Sequence, residues 1–260
     1  MITSTANAKV KRLINLKQKL KFRHGEGVFI VEGLKMFLEA PTQQIKEVYV
    51  SESFLQKNPP DKLKGMRYET VSDEVFRKIS DTQTPQGVLC VMRMPSYTLK
   101  DLLKTGKKAP LLLLLEDIQD PGNLGTIFRA GEGAGVDGVI MTKNTVDIFN
   151  PKVIRSTMGS IYRVPFLVTQ DIAQEIKALK AGGVRVYAAH LDDSVDYDTC
   201  DYTVPTAFLI GNESSGLKRE TADMADCYIK IPMKGQVESL NAAVASSVLM
   251  FEASRQKKKF

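Results

Sequence analysis

The sequence predicts a two-domain α/β protein. A small α/β domain over residues 1–94 is joined by a linker at 95–108 to a larger, mostly parallel-sheet domain over 109–260. Three observations lead there. Short apolar runs without period-two alternation recur through the second half, separated by helical stretches, as expected of strands buried on both faces of a parallel sheet. Residues 94–108 shift to Pro95, Ser96, Thr105, Gly106 and the pair Lys107 and Lys108, the composition of a boundary. Polar, Gly-containing loops at 116–123, 211–216 and 231–241 each follow a predicted strand, where α/β proteins place ligands.

Composition narrows the class. The chain is 43% apolar and 25% charged, as globular proteins are. Its longest unbroken apolar run, residues 111–115, is far short of the ~18 residues that a membrane span needs. The basic N-terminus lacks the apolar segment of a secretory signal, so a cytoplasmic protein is expected, with no membrane partner. Cys90, Cys200 and Cys227 are odd in number and widely spaced, which suits buried reduced thiols rather than disulfides or zinc. No metal site is expected. Residues 1–35 hold eight Lys or Arg against Glu26 and Glu32, and so carry the whole formal excess of +6. Charge gathered in this way favours a polyanion, nucleic acid rather than lipid, although an ordinary solvated helix face would carry the same residues.

In chain order, Val10, Leu13, Ile14, Leu16 and Leu20 among Lys9, Lys11, Arg12, Lys17, Lys19 and Lys21 predict one basic amphipathic helix over 9–22, stopped at 23–27. These basic residues and Arg23 are the candidate nucleic-acid contacts, and RNA contacts if the resemblance described below holds. A strand at 28–31, a helix at 33–39 and a strand at 45–50 have βαβ spacing. A loop at 58–61, a helix at 73–80 and a strand at 87–92 complete the first domain. In the second, strands are predicted at 111–115, 138–141, 163–167, 184–188, 207–210 and 227–231, with helices between most of them. Asn123 is placed to cap a helix starting at Leu124, whose inward face would hold Ile127, Ala130, Gly131 and Ala134. Arg129 lies off that face, able to meet a phosphate or to pair with Glu132. Residues 133–138 match G-x-G-x-x-G, but a helix precedes and a strand follows, the reverse of a dinucleotide site. In the last helix, Leu240, Val244, Ser247, Val248 and Phe251 predict one buried apolar face, with Ser239 and Asn241 as capping residues. His190 is the second domain's one histidine, and neither a Ser/His/Asp nor a Cys/His set accompanies the loops.

Three groups of residues together resemble the motifs of a known family. They are Asp120, Pro121, Gly122, Asn123, Leu124 and Gly125 with Arg129 and Ala130; Gly211, Asn212 and Glu213 with Gly216; and Ile231, Pro232 and Met233 through Glu238, Ser239, Leu240 and Asn241. They look like motifs 1, 2 and 3 of the SpoU (TrmH-like) RNA ribose 2′-O-methyltransferases of the SPOUT superfamily. The match covers 111–256 in the right order, departing at Ala242 and Ala243, where a β-branched residue is commoner. The basic first domain, ending Gln86, Gly87, Val88 and Leu89, resembles the RNA-binding domain often found ahead of it.

This resemblance implies a SPOUT domain with a deep trefoil knot, a homodimer, and S-adenosyl-L-methionine as methyl donor. Donor contacts would come from Ala188, Ala189, His190, Leu209, Ile210, Gly211, Ile231, Met233 and Leu240. Asn123, Arg129, Glu213, Ser239 and Asn241 would form the catalytic set, with Arg129 either the base or proton relay or a phosphate ligand alone. The expected substrate is ribosomal RNA. Transfer RNA is the alternative, and a non-catalytic RNA-binding or ribosome-assembly factor on the same fold is another. The basic end at 255–259 becomes a further candidate RNA contact.

Overall fold

The computed structural model describes residues 1–58, 63, 65–103 and 109–258. The chain divides into two compact units, residues 1–95 with 147–162, and residues 96–146 with 163–260. The first begins with α1 (Ala8–Gln18), α2 (Leu20–Glu26), β1 (Val28–Glu32), α3 (Leu34–Glu39), β2 (Ile45–Ser51), α4 (Glu52–Lys57), β3 (Glu69–Val71), α5 (Asp73–Ile79) and β4 (Val88–Arg93). Its sheet order is β1-β4-β2-β3, with β4 antiparallel to both neighbours and β2 parallel to β3. β1, α3 and β2 form the expected βαβ unit in its split form: both strands run antiparallel to β4, and so parallel to each other, with β4 between them. Of the expected loop at 58–61, residues 59–61 lie outside the described residues.

The single helix expected at 9–22 is two. Lys19 is extended (φ −116°, ψ 111°), and its N–H closes α1 on Asn15 O before α2 begins. Gly27, at φ 63°, ends α2 in the left-handed conformation that glycine adopts without strain. The break turns Arg23 inward, where it is 3% exposed. Its guanidinium donates to Leu16 O (2.9 Å) and Lys17 O (3.2 Å) and pairs with Asp147 Oδ2 (2.6 Å). A buried cation requires such partners, and removing one member of a buried pair costs about 3–5 kcal/mol. Arg23 is thus a structural residue of the first unit, not a surface RNA contact. Asp147 also shows why a boundary drawn along the chain misassigns 147–162: this segment completes the first unit's core.

The second unit opens with α6 (Leu99–Leu103), β5 (Leu111–Leu115), α7 (Pro121–Ala134) and β6 (Gly138–Thr142). The chain returns to the first unit for α8 (Pro151–Thr157). It then adds β7 (Phe166–Thr169), α9 (Ile172–Ala181), β8 (Arg185–Ala189), β9 (Val195–Asp196), β10 (Thr206–Ile210), α10 (Arg219–Ala222), β11 (Cys227–Lys230) and α11 (Ala242–Lys257). The sheet order is β7-β6-β5-β10-β8-β11-β9, and the pairings are parallel. All five leucines of β5 are buried, as a strand covered on both faces requires. Residues 96–103 are no free linker, because Leu102 is fully buried and occupies the space that Gly138 leaves by lacking a Cβ; residues 104–108 lie outside the described residues. β7 starts three residues later than expected, after Pro165, which has no N–H for the ladder. Gly135, at φ 80°, closes α7 before β6 begins, so 133–138 is a helix stop.

α11 corrects the expected burial. Its inward residues are Ala242, Ala243, Ser246, Leu249, Met250 and Ala253, while Val244 is 49% and Phe251 51% exposed. Small residues set this face: α11 packs on α7, and a Cβ at Gly131 would sit 3.6 Å from Met250 Sδ. Ser246 is tolerated there because its hydroxyl donates to Ala242 O (2.7 Å).

Candidate active site

Loops following β5, β10 and β11 converge. The first was expected to end at an Asn123 cap, but α7 starts at Pro121 and its cap is Asp120, whose Oδ1 accepts the Asn123 N–H (2.7 Å). Proline at the first helical position needs no N–H partner, which lets the helix begin there. Asn123 is thereby released from capping. Its Nδ2 donates to Glu213 Oε1 (2.9 Å), and its Oδ1 accepts from Asn241 Nδ2 (2.9 Å). Chemistry fixes both amide orientations. The Glu213 carboxylate only accepts, and Asn241 uses its own Oδ1 to cap α11 at Ala243 N (2.9 Å) and Val244 N (3.3 Å), which leaves its Nδ2 to donate.

Glu213 also accepts the backbone N–H groups of Gln119 and Asp120, each at 3.0 Å. Burial pushes its carboxyl upward, but donation from Asn123, Gln119 and Asp120 outweighs this and holds it below the ordinary glutamate value. The turn presenting it is pinned through Asn212. Asn212 Oδ1 accepts from Ser214 N (2.9 Å) and Ser215 N (3.0 Å), and Asn212 Nδ2 donates to Asp117 O (2.8 Å). Gly211 passes so close to the backbone of Gly216 and Leu217 that no Cβ would fit.

Arg129 is exposed on α7 and has no ion pair among the described residues. The partner expected for it, Glu132, is held by Arg163, whose Nη2 lies 3.1 Å from Glu132 Oε2. Ser239 is exposed at the rim of an open pocket of about 440 Å³. Of the nine expected donor contacts, Ala189, His190, Ile210, Gly211, Ile231, Met233 and Leu240 line this pocket, as does Glu213. Ala188 and Leu209 are fully buried beneath it, in β8 and β10. Leu217, Ala245 and Leu249 also line it and were missed. The signal for Ala245 and Leu249 was the small-residue face of α11, which the period drawn through Val244 and Phe251 obscured.

Most of the N-terminal basic residues are engaged within the first unit. Arg12 pairs with Glu26 (2.7 Å) and Glu47 (2.9 Å), Lys9 with Glu69, and Lys17 donates to Ser80 O (2.7 Å) and Lys78 O (3.0 Å). Lys11, Lys19 and Lys21 are exposed and have no such partner among the described residues. At the other end, Arg255 pairs with Glu252 and Lys257 donates to Val204 O; Lys259 lies outside the described residues. Among the described residues no three His, Cys, Asp or Glu side chains gather as a metal site would need.

Residues 110–251 match the SpoU rRNA Methylase family. The chain belongs to this family. Residues 7–90 of this SpoU-family protein match the MRM3-like substrate binding domain. It is 34% identical over 252 residues to the 23S rRNA (guanosine(2553)-2'-O)-methyltransferase RlmP of Bacillus subtilis, across 96% of this chain and 97% of that relative. It is 33% identical over 227 residues to the 23S rRNA (guanosine-2'-O-)-methyltransferase RlmB of Ralstonia nicotianae, across 85% of this chain and 91% of the relative. The AdoMet-bound rRNA methyltransferase from Sinorhizobium meliloti superposes with a TM-score of 0.85 at 32% identity, covering 98% of this chain and 97% of that one. The matched range 110–251 contains all three of the loops that Asn123 joins.

Proposed function

We propose that this protein transfers a methyl group from S-adenosyl-L-methionine to the ribose 2′-hydroxyl of a guanosine in 23S ribosomal RNA. The observation that carries this reading is Asn123, which ties Glu213 to Asn241 beside the pocket. The named activities of the two 23S rRNA relatives support the substrate. The pocket suits the donor: Ile210, Leu240, Ala245 and Leu249 offer an apolar slot for adenine, and the strand-end backbone at 189–191 and 229–231 offers polar groups for its edge. When bound, the donor supplies a methyl group already activated on a sulfonium. The protein must then align the weakly nucleophilic 2′-oxygen and let its proton leave. Glu213, Asn123, Ser239 and Asn241 position the ribose. Arg129 binds the adjacent phosphate bidentately and holds the ribose in line with the donor, and the hydroxyl proton passes to water as the methyl group is transferred.

Three further parts belong to this reading. Exposed Val244 and Phe251 on α11 support a homodimer, and Lys11, Lys19 and Lys21 support RNA binding by the first unit. The placement of β8 between β10 and β11 is in keeping with the trefoil knot that the resemblance implies. An rRNA substrate points to the cytoplasm, and no helix among the described residues is long and apolar enough to cross a membrane.

Labelled methyl transfer to 23S rRNA and to transfer RNA, with mapping of the alkali-resistant linkage, tests the proposal. Label is expected in 23S rRNA at a guanosine ribose, with Arg129→Lys strongly impaired in transfer. Label confined to transfer RNA would overturn the substrate, and wild-type rates in Arg129→Lys would remove the role given to Arg129.

A further inference from the structure

Two carboxylates at the end of β5 take no part in the chemistry above. Glu116, 2% exposed, accepts from Thr221 Oγ1 (2.6 Å) and from the Lys218 N–H (2.9 Å). Asp117 stands at φ 57°, a left-handed conformation that residues other than glycine seldom adopt, aspartate and asparagine being the commonest exceptions. Its Oδ1 accepts from Thr142 Oγ1 (2.7 Å), whose oxygen in turn accepts the Asp117 N–H (2.9 Å). Its Oδ2 accepts from Lys218 Nζ (3.0 Å). Its carbonyl accepts from Asn212 Nδ2 (2.8 Å) and Gln119 Nε2 (3.1 Å).

These partners share a pattern. Asn212 and Lys218 bracket the turn that presents Glu213, and Gln119 donates its backbone N–H to Glu213. A cavity of about 430 Å³ runs alongside, but the polar groups of Glu116, Asp117, Thr142 and Lys218 on its wall bond to one another. They form a brace. Glycine would adopt φ 57° freely, so the aspartate there is explained by its carboxylate.

We infer that Asp117 and Lys218 form a latch between the loops after β5 and β10, positioning Glu213 and through it Asn123 for methyl transfer. This rests on the methyltransferase reading. Both are positioning residues, since neither touches the reacting atoms. By holding Asn212 and Lys218, Asp117 also fixes 214–217 between them, a stretch that walls the pocket. Burial raises the Asp117 carboxyl, but hydrogen bonds from Thr142 and Lys218 outweigh it and keep the group ionised at neutral pH.

The test uses Asp117→Gly, which relieves the backbone and removes only the carboxylate, beside Lys218→Ala, the double variant and Lys218→Arg. In Asp117→Gly the melting temperature should not fall and RNA affinity should stay unchanged. Its kcat should drop about tenfold, a loss of the kind that slight misplacement of reacting groups produces. Lys218→Ala should match it, the double variant should be no worse than either single one, and Lys218→Arg should restore the rate. Hydrogen exchange at the Gln119 and Asp120 amides, which Glu213 protects, should quicken in Asp117→Gly. Unchanged exchange and kcat in that variant, or additive losses in the double variant, would overturn the latch. The exchange readout needs no methyl transfer, so a wild-type protein inactive on rRNA would refute the proposed function while the latch is still judged.

Discussion

Asn123 reads from the sequence as a helix cap, and the structure gives that task to Asp120, three residues earlier. Pattern alone could not separate the two tasks, because a capping side chain and a bridging one leave the same letter in front of an apolar helix; only the family resemblance put Asn123 in the catalytic set. Asn241 shows the opposite case, performing both tasks at once. The bridge has a consequence in pH. Glu213 is held below the ordinary glutamate value, with burial opposing and three donors prevailing. A carboxyl depressed on folding adds stability that is present above its unfolded pKa and is lost as pH falls through the folded value. Asn123→Ala removes the strongest of the three donors, so the folded pKa should move up towards the ordinary value and acid loosening of the loop should begin at higher pH. A carbon-detected NMR titration of the Glu213 carboxyl reads this directly. An unmoved midpoint in Asn123→Ala would show that Gln119 and Asp120 alone hold the carboxylate.

Six of the second unit's seven strands were legible because doubly covered strands are written as plain apolar runs, and β5 is five leucines; β9, two residues at the sheet edge, has no such run. α11 was not, since its residues satisfy two helical stripes. One stripe, through Leu240, Val244 and Phe251, has the larger side chains; the other, through Ala242, Ser246, Leu249, Met250 and Ala253, has the shape that fits against α7. Close packing prefers fit to size, so the small stripe is inside and the large one faces solvent. α8 escaped the linear reading for a different reason, as nothing local to 147–162 records that its buried partner Arg23 lies in the first unit. In the homodimer proposed above, the half-exposed Val244 and Phe251 of α11 would be covered by the second copy of the chain. Val244→Lys with Phe251→Lys should therefore convert a wild-type dimer to a monomer in sedimentation velocity, while far-UV circular dichroism stays as in the wild type. A wild-type protein that sediments as a monomer at micromolar concentration would exclude the homodimer.

For the whole molecule, the sequence located the charge and the fold decided which of it is free. The excess of +6 belongs to residues 1–35, yet Arg23 is buried against Asp147, Arg12 is clasped by Glu26 and Glu47, and Lys9 and Lys17 have partners of their own. A cation already paired displaces fewer counterions from RNA than a solvated one, so the electrostatic share of binding should fall mainly on Lys11, Lys19 and Lys21. Each phosphate that is no longer neutralised lowers the slope of log affinity against log salt by roughly 0.7 to 0.9. The triple change to alanine should then flatten the slope for an rRNA fragment by about 2 to 3 and weaken binding most at low salt. Lys9→Ala with Arg12→Ala serves as the contrast. It removes two charges as well, but from ion pairs, and should leave the slope nearly as it was while loosening α1. If the two sets of variants flatten the slope equally, net charge rather than the three solvated lysines governs RNA binding, and the first unit's contact surface is not the α1 and α2 face that carries them.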